Sequence, residues 1–138
     1  MPPGLPGNEA EVTFDLGLLA EQLAQLGKDL TEEAAELGRM EERCVDAEAA
    51  YRLLQEQLED TLASAYLRAS GTNAEARKAE ARLVAADQRV AAEVAWKAWN
   101  ILRAKVRTQQ ASLQVLHRRA EIGRSLLSRE KVLISLGE

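Results

Sequence analysis

"LRASGTNAEARKAEA", residues 67–81, is the one place in the middle of the chain where a helix has reason to stop and another to start. Gly71 can take the left-handed conformation that closes a helix C-terminus, which other residues resist. Thr72 and Glu75 make a T-x-x-E capping box, in which hydroxyl and carboxylate each satisfy a backbone N–H at a helix start. Stop and start lie one residue apart. The expected structure is therefore a turn at 70–72 joining two helices that lie side by side and antiparallel. All three prolines precede residue 7, so no obligatory helix breaker follows.

Upstream of the turn, alternating steps of three and four from Leu16 land on Leu19, Leu23, Leu26, Leu30, Glu33, Leu37, Met40, Cys44, Ala47, Tyr51, Leu54, Leu58, Thr61 and Ala65. Only Glu33 and Thr61 are polar. A seam held for about seven heptads is a coiled-coil pattern. Gly27 and Gly38 weaken this helix by roughly 1 kcal/mol each. Thr31, followed by two glutamates, marks a place for a bend or a fresh start.

Downstream, Leu83, Val90, Val94 and Ile101 form a stripe that hands over to Trp99, Leu102, Val106, Leu113, Leu116, Ala120 and Leu127. The handover reads as the drift of a straight helix away from a strict heptad. Gln109 and Gly123 interrupt the second stripe. The expected fold is all-α, a long antiparallel two-helix hairpin over residues 15–132. Its helices run over about 15–69 and 73–131, with tails at 1–14 and 133–138. Residues equidistant from the turn should meet: Leu102 with Met40, Leu116 with Leu26, and Trp99 beside Cys44 and Arg43.

Charge agrees with that pairing. Residues 1–69 carry 15 acids and five bases, whereas residues 70–138 carry seven acids and 13 bases. An acidic arm facing a basic one is favoured over like against like. Two helices cannot enclose a core, so each seam stays half exposed. A homo-oligomer is expected, most simply a dimer forming a four-helix bundle, or a larger helical ring.

Length allows one ordinary domain. Hydrophobic residues make up 46% of the 138, but aromatics only 4%, so alanine and leucine dominate. That suits helix-on-helix packing. No apolar run approaches the ~20 residues of a membrane span, so no membrane partner is expected. The N-terminus, "MPPGLPGNEAEV", lacks the basic start and apolar core of a secretory signal. The lone Cys44 cannot form an internal disulfide, which fits a reducing, cytoplasmic setting.

Groupings able to do chemistry are absent. The one histidine, His117, has no His, Cys or Asp at ligand spacing and reads as a surface residue beside two arginines. Cys44 occupies a seam position and reads as a small buried hydrophobe. No phosphate loop, dinucleotide fingerprint, nucleophile elbow or zinc motif occurs. Glu32, Glu33, Glu36, Glu41 and Glu42 lack the Glu-x-x-His companions of carboxylate-bridged bundles. The expectation is no enzyme, no cofactor, no metal and no small-molecule substrate.

Three features point to partners. The packing seam comprises Leu23, Leu30, Leu37, Met40, Tyr51, Leu54 and Leu58 with Trp99, Leu102, Val106, Leu113 and Leu116. Trp96, three residues before Trp99 and offset from the seam, is a candidate anchor for a protein partner. The segment from Lys97 to Lys131 holds nine basic residues against two acids. Within it Arg103, Arg107, Arg118, Arg119 and Arg124 are candidate nucleic-acid contacts. The competing reading is that they neutralise the acidic arm.

The stretches "AYRLLQEQLEDTLASAYLRA" (50–69), "SGTNAEARKAEA" (70–81) and "LRAKVRTQQASLQVLHRRAEIGRSLLSRE" (102–130) together give a layout that resembles the small coiled-coil accessory proteins of tailed bacteriophages and prophages. These sit among recombination or replication genes, near single-strand annealing or single-strand-binding proteins. The resemblance implies an accessory role in DNA metabolism in the cytoplasm of a bacterial host. It supplies no catalytic residue. The function expected is a non-catalytic, self-associating coiled-coil adaptor. Alternatives are a nucleic-acid-binding protein and a structural component of a virion or secretion assembly.

Overall fold

The structure is a computed structural model and describes residues 16–137; the tail expected at 1–14 lies outside the described residues. Three helices account for 95% of what is described, with no strand. They are α1 (Leu16–Arg68), α2 (Ala74–Val84) and α3 (Ala86–Gly137). The all-α expectation holds, but there are three helices where the sequence reading has two. α3 also continues past residue 131, where that reading ends its second helix.

α1 runs unbroken through both of its internal glycines. Thr31 does not start a new helix. Its hydroxyl donates instead to the Gly27 carbonyl at 3.0 Å, the back-bond a mid-helix threonine makes to the preceding turn.

The turn is built differently from the expected capping box. The N-cap of α2 is Asn73, not Thr72, with extended backbone (φ −138°, ψ 170°). Its side-chain oxygen accepts from the Ala76 N–H at 2.8 Å. Asparagine caps as well as threonine, and the choice between neighbours is a matter of backbone geometry. Gly71 is not left-handed, since no described glycine has positive φ. It is needed for space: a Cβ there would stand 2.8 Å from Ala76 Cβ and 2.9 Å from the Arg77 nitrogen. Two side chains tie the turn down. Arg77 Nε donates to the Gly71 carbonyl at 3.1 Å, and the Ser70 N–H donates to the Glu80 carboxylate at 3.0 Å. Gly71→Ala should therefore lower stability by about 1–3 kcal/mol, the cost of overpacking. Urea titration reads the loss, and an unchanged midpoint would mean the turn relaxes freely.

α2 and α3 meet at Ala85 (φ −93°, ψ 5°). The step is slight. The Ala85 N–H bonds the Ala81 carbonyl at 3.0 Å, and the Arg89 N–H bonds the Ala85 carbonyl at 2.9 Å.

The chain divides into two compact units, Leu37–Thr108 and the segments through Glu36 and from Gln109. In the first, here the turn unit, the core is Leu58 of α1 with Ala85 and Ala92, flanked by Leu54 and Leu62. Ala81 is also buried. Alanine at these positions leaves room for leucines from α1 to seat between them. Leu83, Val90, Val94 and Ile101, expected in the seam, are exposed by 78, 59, 61 and 56%. The supposed handover between stripes does not occur. The inward face runs from Ala85 at the join to the buried Ala92, seven residues on, and continues into the half-buried Ala95, Trp99, Leu102 and Val106 at three-four spacing. Size misled the sequence reading: the larger apolar residues lie on the other side of the helix. Trp99 stacks on Tyr51, with ring centroids 5.7 Å apart.

In the second, the terminal unit, the irregularities of the two seams answer each other. Gln109 of α3 donates its side-chain amide to the Glu33 carboxylate and, at 3.4 Å, to the Glu33 carbonyl. Residues 33 and 109 are equidistant from residue 71. Gly123 is buried, and Leu23 Cδ2 lies 2.5 Å from where a Cβ on residue 123 would stand. The glycine that interrupts one stripe makes the hole for a leucine of the other.

Candidate interaction surfaces

Every residue of the expected packing seam is half-buried except Leu58, which is buried. Within the turn unit the aromatic members cluster. Trp99 contacts the Tyr51 ring, and the Arg103 guanidinium sits 4.8 Å from the Trp99 ring centroid. This contact occupies Arg103 with a cation–π interaction of about 0.5–1 kcal/mol at an exposed site. Trp96 is 49% exposed. It borders a shallow groove with Tyr51, Gln55, Arg89, Ala92 and Lys97.

A second groove of about 240 Å³ lies where α1 meets α2 and the start of α3. Leu58, Leu62, Tyr66, Ala81 and Ala85 form its apolar floor, and Lys78, Arg82 and Arg89 its basic rim. Sequence reasoning passed over this rim. Its signal was present in the four- and seven-residue spacing of those three cations, which puts them on one side of a helix.

Two of the candidate nucleic-acid contacts lie in the turn unit and three in the terminal unit. Arg107 lies about 40° round the helix from Arg103, given about 100° per residue, so these two share a side. In the terminal unit, Arg118, Arg119 and Arg124 point in three directions, about 100° or more apart. All five are exposed. Among the described residues none of the five is in an ion pair. Arg52–Glu48 at 2.8 Å and Lys78–Glu75 at 3.9 Å are ion pairs that each join neighbouring turns of one helix.

His117 is exposed, and Cys44 is a half-buried free thiol. Among the described residues no three His, Cys, Asp or Glu side chains come together as a metal site. No described helix is long and apolar enough to cross a membrane.

Large apolar side chains also stand exposed on α3. Beyond the four residues already named in the turn unit, Val115, Ile122, Val132 and Leu136 of the terminal unit are exposed by 48, 61, 57 and 79%. Scattered apolar residues on a surface are ordinary, but a run at heptad spacing marks an interaction face. No family model, no curated protein and no solved structure matches this chain.

Proposed function

We propose that this chain is a non-catalytic, self-associating helical adaptor that acts through protein–protein contacts. In this reading α1 folds back along α2 and α3 as one antiparallel hairpin, and hairpins pair into a four-helix bundle. One observation carries it: α3 has a second apolar stripe, distinct from the face that packs on α1 and left exposed. A helix with two apolar seams on different faces needs two partners, and the chain itself supplies one. The resemblance to phage coiled-coil proteins suggests single-strand annealing and single-strand-binding proteins as the first partners to try.

Mass by light scattering tests this directly. At micromolar concentration the chain should show a multiple of its 15.2 kDa monomer mass. A monomer throughout that range would end the self-association reading. Single-stranded DNA added at low salt should leave the mass unchanged. A gain in mass that salt reverses, and that is lost on changing Arg107, Arg118 and Arg124 to Ala, would replace the adaptor reading with nucleic-acid binding.

A further inference from the structure

The exposed stripe of the turn unit is self-complementary in reverse. Its members are Leu83, Asp87, Val90, Val94, Lys97 and Ile101, at steps of four, three, four, three and four. The four apolar members are 56–78% exposed, and Asp87 and Lys97 are exposed too. The stripe lies across the helix from the buried Ala85 and Ala92. The hydrogen bonds through Ala85 keep its path continuous from α2 into α3. Read from both ends toward the level of residue 92, it pairs Leu83 with Ile101, Asp87 with Lys97, and Val90 with Val94.

That symmetry is what a two-fold antiparallel contact requires, because each copy presents the same patch to the other. In antiparallel coiled coils, positions at the two ends of the three-four step face each other across the seam. All three pairs obey this rule. The layers then run apolar, oppositely charged, apolar, apolar, oppositely charged, apolar, over about 27 Å of helix. We propose that this stripe is the seam of an antiparallel homodimer centred at residue 92, closed by two Asp87–Lys97 pairs between copies. The proposal rests on the self-association reading above and names its surface.

Charge selects this arrangement from its competitors. Parallel pairing would stack Asp87 on Asp87 and Lys97 on Lys97. A one-heptad slip in either direction sets a charged member against a valine, Asp87 on Val90 or Lys97 on Val94. Buried polar positions in a seam commonly set orientation and register in this way. The flanks differ. Val84, Ala91 and Ala98 widen the apolar face on one side. On the other, Glu93 meets its own copy across the axis, a like-charge contact that counts against the seam, with the second copy's Lys97 one helical turn away.

Sedimentation equilibrium on the full chain tests the proposal with Asp87→Lys, Lys97→Asp and the double exchange. Each single change places like charges together twice, and should weaken the dimer by about a hundred-fold. The double exchange should restore it. Helicity by circular dichroism should stay unchanged in all three, since both residues are exposed. On a Cys44→Ser background, Ala91→Cys should be joined to its copy by a short bismaleimide. Leu83→Cys should not, because its copies stand at opposite ends of the seam. An oligomeric wild type that ignores both single changes would overturn this seam while leaving self-association standing. A monomeric wild type would overturn both. Crosslinking of Leu83→Cys without Ala91→Cys would assign a parallel seam instead.

Discussion

Leu58→Ala should lower the unfolding free energy by about 2–4 kcal/mol, read from urea titration at a fixed protein concentration. Leu58 is the largest buried side chain among the described residues, and its neighbours across the seam are alanines. Alanines cannot swing in to fill the space a leucine leaves, so the loss includes a cavity on top of the lost transfer energy. The floor of the neighbouring groove already reaches Leu58, which holds the figure below the upper end of the known range. Leu83→Ala removes the same atoms from a site that is 78% exposed. Its effect on the stability of the fold should stay within about 0.5 kcal/mol, and its cost should fall on association. Equal losses from the two substitutions would mean that both stripes face the interior. Because association also stabilises, the comparison must hold protein concentration constant.

Gln109→Leu should cost about 2–3 kcal/mol, and Glu33→Leu with Gln109→Leu together should recover most of it. The half-buried Glu33 carboxylate takes its donor from Gln109. Removing the donor leaves a charged acceptor among apolar neighbours, which costs more than the bond itself contributes. Replacing both partners with leucine converts the layer to an ordinary apolar one, as replacing a buried polar pair often does without loss. A double-mutant cycle isolates the coupling. Additive losses would show that the two side chains act separately. The recovered variant is informative in a second way. Without a polar layer the seam has less to hold its register, so broader or multiple amide resonances are expected even where stability returns.

The pairing of Glu33 with Gln109 shows how far a single seam can be read. Both residues stand out in the sequence as polar gaps in apolar stripes. Each taken alone looks like a flaw, and neither says what it faces. Together they are one layer, and only the contact between helices makes that visible. Gly123 is the same case: an interruption by its own sequence, a socket once Leu23 is in place.

Other features were legible without any contact. The absence of proline after residue 6, the dominance of alanine and leucine, and the unbroken three-four spacing from Leu16 to Ala65 are local properties. They determine an all-helical chain because helix formation depends on neighbours within one turn. Capping residues clustered between 70 and 75 likewise placed the break. The reading erred over which neighbour, Thr72 or Asn73, adopts the extended backbone of the cap, and over Gly71, which is needed for space and not for a left-handed backbone.

What the tertiary structure alone decided is which face of α3 turns inward. The chain offers two heptad stripes there, one of larger residues at Leu83, Val90, Val94 and Ile101, the other of alanines leading into Trp99. Transfer energy ranks the first above the second, residue by residue. Packing reverses the ranking, because the alanines let the leucines of α1 seat between them, and depth of seating is a property of two surfaces together. A sequence states how apolar each stripe is; the fit of Leu58 against Ala85 and Ala92 settles which of them is covered.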